Sequence, residues 1–207
     1  MTCRQEVAKF FPELTGYLHK GMLGRITVVG GCDQYTGAPY FAASAALRVG
    51  ADLVSVLCTE EAAVPIKCYS PDIMVLGRLT KYAEHEAAQR LVSKADCVVI
   101  GTGLGLDPKI LEVARNILIH RSSSEKKAIV VDGDGIMCVV RKPKLLQGNN
   151  RAILTPNAME FRRLWEAIFP KEEAPPFDVT IEQKDQLEFV DPEFDPDTIA
   201  TSKLARA

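Results

Sequence analysis

The chain has 207 residues, 47% of them hydrophobic and 25% charged, which is length and apolar material enough for one well-cored domain and excludes a fibrous or wholly disordered protein. Its 25 basic and 27 acidic residues leave a net charge of -2, so no overall basic field points to nucleic acid or an anionic membrane as partner.

In chain order, a short amphipathic segment (Arg4 to Phe11) precedes an alternation of β-branched apolar runs with segments of helical period, and no internal repeat is visible. The runs predict strands at Ile26 to Val29, Leu53 to Leu57, Ile73 to Val75, Cys97 to Ile100, Ala128 to Val131 and Ala152 to Leu154. Helices are predicted at Ala38 to Val49, Ala83 to Lys94, Pro108 to His120 and Ala158 to Phe169, with Pro39 and Pro108 in first turns and Gly50 just past an end. Strands of three to five residues that are apolar at nearly every position are covered on both faces, so the fold class is α/β, a doubly wound and mostly parallel sheet with helices on both faces. From Pro170 onward the character changes: ten acids against four bases and five prolines, with only Val179 to Ile181 strand-like, predict an acidic, Pro-rich, largely extended tail distinct from a domain at 1–169.

The six cysteines, at 3, 32, 58, 68, 97 and 138, form no C-x-x-C pair and sit beside none of His19, His85 and His120, so no zinc site and no metal ligand is assigned. Cys58 and Cys97 fall in apolar runs, where a thiol acts as a small buried hydrophobe, and a reducing compartment follows: the cytoplasm, with a mitochondrial form of the gene product left open. Arg4, Glu6, Lys9 and Glu13 interrupt any apolar region of a secretory signal, and no run approaches a membrane span. Ser202-Lys203-Leu204 resembles a peroxisomal address but is followed by three more residues.

In a parallel α/β sheet, ligands bind beyond the carboxyl ends of the strands. The residues at those ends are Gly30-Gly31-Cys32-Asp33-Gln34-Tyr35-Thr36-Gly37-Ala38, Gly101-Thr102-Gly103-Leu104-Gly105, Asp132-Gly133-Asp134-Gly135 and Thr155-Pro156-Asn157-Ala158-Met159-Glu160. Any one of them is as easily a simple turn, but four in a row, rich in Gly, Asp, Asn and Thr, suit a phosphate-bearing or polar metabolite, because glycine exposes backbone N–H groups at helix starts. Gly101 does not open a dinucleotide fingerprint, since G-x-G-x-x-G needs glycine where Leu106 stands, and the first loop carries neither that pattern nor a P-loop lysine.

These loops, together with Gly24 to Gly31, Tyr35 to Tyr40, Val49-Gly50-Ala51-Asp52-Leu53, Tyr69-Ser70-Pro71, Val131 to Gly135 and Thr155 to Phe161, occur in the order found in one family. From about residue 5 to 169 the chain resembles the eukaryotic ATP-dependent NAD(P)H-hydrate dehydratases, ribokinase-like metabolite-repair enzymes. The resemblance implies dehydration of the S epimer of hydrated NADH or NADPH (NADHX, NADPHX) to the normal coenzyme, with ATP as phosphoryl donor and Mg²⁺ as cofactor. Phosphorylating the hydroxyl turns a poor leaving group into a good one, a step that asks the protein for positioning and charge stabilisation. Substrate contacts carried over by the resemblance are Ala38, Gly103, and Asn157, Ala158, Met159, Glu160, Phe161, Arg162 and Arg163, with Tyr35 and Asp132 as further contacts to substrate or magnesium. For Arg162 and Arg163 a solvated helix face is an equal alternative, and for Asp134 a turn is at least as good a reading.

The family pattern continues with a K-G-E-x-D-like ATP segment and a G-x-G-D motif that supplies the catalytic aspartate; neither is matched within these 207 residues, so no catalytic base and no ATP contact is assigned. Two other readings follow: a non-catalytic hydrate-binding or regulatory fragment, and a small-molecule (vitamin) kinase of the same fold. Partners are small molecules, with a homo-oligomer open.

Overall fold

A computed structural model describes residues 15–123 and 127–175. Six parallel strands form one sheet: β1 (Arg25–Val29), β2 (Leu53–Cys58), β3 (Met74–Gly77), β4 (Cys97–Ile100), β5 (Ala128–Asp132) and β6 (Ala152–Thr155). The order across it is β3-β2-β1-β4-β5-β6, so consecutive strands first step outward from β1 and then resume on its other side. Registers run Val28↔Val56 on one flank of β1 and Val28↔Val99 on the other, which sets all six carboxyl ends along one edge.

The helices are α1 (Gly37–Val49), α2 (Glu60–Tyr69), α3 (Glu86–Lys94), α4 (Pro108–Ser122), α5 (Asp134–Arg141) and α6 (Ala158–Ile168), with 3-10 segments at Leu79–Glu84, kinked at Lys81, and at Pro143–Leu146. Because side chains alternate across a strand, neighbours on one strand enter different cores. Val28 and Val56 join Ala43 of α1 and Ala62 and Ile66 of α2. Val29 and Leu57 join Val92 of α3, Ile117 of α4, Ile136 of α5 and Leu164 of α6 on the opposite face. This is the physical content of double winding: each strand is apolar at consecutive positions because both faces are covered.

Two helices were missed by the periodicity. Pro65 lies inside α2 and breaks the pattern, yet its missing N–H would have bonded no further back than the first turn, where a carbonyl is spared at little cost. The eight residues of α5, Asp134 to Arg141, are short and carry a strand-like Ile-Met-Cys-Val-Val run. The third strand runs two residues beyond its predicted end, to Gly77, and α3 begins at Glu86 because residues 79–84 take up a 3-10 turn. The remaining strands and helices agree with expectation to within one or two residues.

The expected tail lies outside the described residues beyond 175, as does the amphipathic segment at 4–11. Among the described residues no helix is long and apolar enough to cross a membrane.

Candidate active site at the carboxyl edge

The strand order changes direction between β1 and β4, and a parallel sheet opens a crevice at such a switch point. The loops after those two strands meet there. Gly31 N–H donates to the Gly103 carbonyl at 3.1 Å, while the Gly31 carbonyl accepts from Thr59 N–H beyond β2, also at 3.1 Å. Gly103 has φ +59°, and a Cβ placed on it would stand 2.9 Å from Tyr35 Cβ and 3.4 Å from Ala38 Cβ. Glycine is required here on both counts, conformation and space, and its side-chain-free backbone lets Tyr35, Ala38 and Gly103 share one surface.

Gly101, at φ +116°, is tighter still: a Cβ would overlap the Asp132 carbonyl oxygen and the Gly135 amide, so the second loop is seated directly on the third. That seating is secured by Asp134, whose Oδ2 accepts from Gly105 N–H at 2.8 Å. Asp134 is therefore a tie between loops. Asp132 lies half-buried at the end of β5 and its Oδ1 accepts from Thr155 Oγ1 at 2.7 Å, which joins the third loop to the fourth.

In the fourth loop Asn157 and Glu160 make a reciprocal capping box for α6: Asn157 Oδ1 accepts from the Met159 and Glu160 amides at 3.0 Å, and Glu160 Oε2 accepts from Asn157 N–H at 2.9 Å. Phe161 is 1% exposed and packs its ring on Trp165 at 5.9 Å, so its side chain fixes the helix on the core. Ala158, Met159, Arg162 and Arg163 are exposed on the outer side, where a charged ligand could meet the two guanidinium groups.

At the start of α1 the N-cap residue Thr36 makes no side-chain capping bond, and the first turn holds no acid, so the positive end of this 13-residue helix is uncapped by side chains beside Ala38. On the other side of the first loop a cavity of about 580 Å³ opens between Cys32, Thr59, Leu104 and Ile110. Its rim carries Asp33, Glu61 and Asp107 against a single cation, Lys109. Glu61 is held below its usual carboxyl range by its own backbone N–H and by the Thr59 hydroxyl. The charges thus differ along the edge: the cavity rim is mostly acidic, whereas the outer face of α6 carries the exposed Arg162 and Arg163.

The family model described as NAD(P)H-hydrate dehydratase matches residues 26–189. The chain belongs to this family. The matched span begins later and ends further on than the resemblance at 5 to 169, passing the expected domain end at 169 by twenty residues. Curated relatives include the ATP-dependent (S)-NAD(P)H-hydrate dehydratase of Danio rerio, 45% identical over 162 residues, 78% of this chain and 49% of that protein. The human protein of the same name is 44% identical over 165 residues, 79% of this chain and 47% of the relative. The chain thus spans about half the length of the curated relatives it matches. Among solved structures, a ribokinase-like superfamily protein from Enterococcus faecalis superposes with TM-score 0.67 at 24% identity, covering 85% of this chain and 57% of that one. The ADP/ATP-dependent NAD(P)H-hydrate dehydratase of Bacillus subtilis, co-crystallised with ATP and Mg²⁺, superposes with TM-score 0.58 at 21% identity over 77% of this chain and 53% of its own. The ribokinase-like fold of this dehydratase-family chain follows from both.

Of the residues singled out in the sequence, Tyr35, Ala38 and Gly103 are brought into one contact, Asp132 is tied to Thr155, and Asn157 to Arg163 lie two strands away along the same edge. Sequence reading left Thr59 unmarked and gave Thr102 and Tyr69, though both lie in the quoted motifs, no role of their own. Thr102 is 6% exposed and its Oγ1 has no partner, facing the place where a Cβ on Gly30 would stand 2.8 Å away. Its position between two glycines was the available signal. Among the described residues no group of three or more His, Cys, Asp or Glu converges on a metal position. Asp132, its Oδ1 engaged by Thr155, is the carboxylate that ends β5 at this edge.

Proposed function

We propose that this chain binds the S epimer of hydrated NADH or NADPH at the carboxyl edge and serves its ATP-dependent dehydration. The observation that carries the reading is the contact of Gly103 with Tyr35 and Ala38 at the switch point, within a chain of the dehydratase family. In the reaction the hydrate's hydroxyl is phosphorylated by ATP, the ring nitrogen's electron pair expels phosphate as the C–O bond breaks, and a proton is lost from the adjacent carbon to leave NAD(P)H, ADP and phosphate. The residues described here are suited to binding and orienting: an uncapped helix start and exposed Arg162 and Arg163 for the coenzyme phosphates, and a glycine-lined floor that admits the ring.

ATP and Mg²⁺ are what the named relatives support as co-substrate and cofactor, with Asp132 as the carboxylate this chain would offer the metal. The cytosol is the compartment proposed. In support, Cys32, Cys58, Cys68, Cys97 and Cys138 are free thiols, and burial pushes the Cys58 thiol up to about 12, keeping it protonated.

The test is calorimetric titration of the 207-residue chain with hydrated NADPH, with NADPH, and with a vitamin-sized alcohol, each with and without ATP and Mg²⁺. Preference for the hydrated dinucleotide, abolished by Gly103→Trp, supports the reading. Preference for the small alcohol would move it to a kinase of the same fold, and a rise in reduced-nicotinamide absorbance on adding ATP would separate catalysis from binding alone.

A further inference from the structure

Tyr69 ends α2, remote in sequence from the strand-end loops, and belongs to the Tyr69-Ser70-Pro71 motif that the substrate-binding assignment leaves without a role. Its hydroxyl lies 2.7 Å from Thr36 Oγ1. Thr36 stands at the N-cap of α1 with φ -103° and ψ -23°, a helical conformation from which its side chain caps nothing. The hydroxyl that would ordinarily close the helix start is engaged by Tyr69 instead. The Tyr69 ring also packs on Tyr40 at a centroid distance of 5.2 Å. A polar contact at Thr36 and an aromatic one at Tyr40 therefore hold the first turn of α1 on either side of Ala38.

The first loop is otherwise fixed at its beginning, by Gly31 to Gly103 and Thr59 and by the paired backbone bonds between Cys32 and Tyr35. Among the described residues, the Tyr69 hydroxyl makes the one side-chain hydrogen bond that reaches residues 33–38 from another element. Tyr35, which crowds Gly103, is the immediate neighbour of the tethered Thr36. Half-exposed, with a hydrogen bond that competes with water, Tyr69 is suited to setting a loop position and contributes little to global stability.

We propose that Tyr69 is a positioning residue for the hydrated-coenzyme site, its hydroxyl fixing Thr36 and thereby the Tyr35–Ala38 segment against Gly103. This rests on the ligand assignment of the preceding section. The test compares the 207-residue chain with Tyr69→Phe, Thr36→Val, Thr36→Ser and the Phe/Val double variant, reading affinity for hydrated NADPH, amide exchange at Cys32 and Tyr35, whose N–H groups bond each other's carbonyls, and the thermal midpoint. Tyr69→Phe and Thr36→Val should each weaken binding roughly five-fold, the worth of one net hydrogen bond. Each should speed exchange at both amides and leave the midpoint unchanged. The double variant should be no worse than either single, and Thr36→Ser, which keeps the hydroxyl, should behave as the parent.

Unchanged affinity and exchange in Tyr69→Phe, or additive losses in the double variant, would overturn the proposal. If the parent chain binds no hydrated NADPH, the ligand assignment fails separately. The exchange rates then still decide the tether, faster exchange in Tyr69→Phe supporting it and equal exchange overturning it.

Discussion

The two edges of the sheet are finished in opposite ways. At the amino edge side chains close the backbone: Asp52 Oδ2 accepts from Gly21 and Leu23 N–H at 2.8 and 3.0 Å, and Asp96 Oδ2 accepts from Arg25 N–H at 2.8 Å. The guanidinium of Arg121, 2% exposed, donates to the carbonyls of Val92, Ala95, Asp96 and Ala128. At the carboxyl edge glycine brings backbone against backbone, at Gly101 on Asp132 and Gly103 on Tyr35, and a buried hydroxyl, Thr102 Oγ1, is left without a partner. Charged and polar side chains do the closing at the amino edge; at the carboxyl edge the side-chain ties of Asp134 and Asp132 are joined by glycine contacts that leave the backbone open.

The largest effect should come from breaking the stitched edge. Arg121→Met removes donors to four carbonyls while keeping the apolar stem, and should cost about 4 kcal/mol in urea unfolding, since buried acceptors lose their partners together. A cost below about 1 kcal/mol would mean that water replaces the guanidinium and that the edge is less closed than its burial indicates.

A paired substitution sharpens the contrast at the open edge. Gly50 and Gly101 have nearly the same φ, +118° and +116°, but a Cβ on Gly50 meets nothing within 4 Å whereas one on Gly101 overlaps backbone. Gly50→Ala should cost about 1 kcal/mol for conformation alone. Gly101→Ala should cost about 3 kcal/mol through displacement of the Asp132 loop, with ligand affinity falling alongside. Equal losses in thermal and urea unfolding would show that the carboxyl loops separate freely.

Acid should loosen the amino edge selectively. Backbone hydrogen bonds from Leu23 and Gly21 hold the Asp52 carboxyl below its usual range. A depressed folded-state pKa contributes stability that is present above the unfolded carboxyl value of about 3.9 and is lost as pH falls through the folded value. Protection of the Gly21 and Leu23 amides, taken relative to their intrinsic exchange at each pH, should therefore fall in that acid window, and Asp52→Asn should flatten the dependence.

The smallest expected change is at Thr102. Thr102→Val exchanges an unpartnered buried hydroxyl for a methyl of the same shape, so stability should stay within about 1 kcal/mol or rise. A loss above 2 kcal/mol would reveal a bond to the hydroxyl in solution, such as a buried water.

Much of this was legible in the chain. Consecutive apolar positions in Val28-Val29 and Val56-Leu57 announced a sheet covered twice, and the helical period from Ala158 onward announced α6. Helix α2 was hidden by Pro65, and α5 by its shortness and β-branched content. Local pattern determined element type, the need for glycine at the strand ends and the family motifs, because those follow from periodicity and backbone freedom. Which loops touch was decided by tertiary structure alone. Strand order put β4 beside β1, so Gly103 met Tyr35 and Ala38; packing of α2 on the sheet brought Tyr69 to Thr36; and Arg121 found four carbonyls contributed by α3, β5 and the turn between α3 and β4. These are contacts between residues far apart in sequence, and a linear pattern carries no information about which distant partner a side chain will reach.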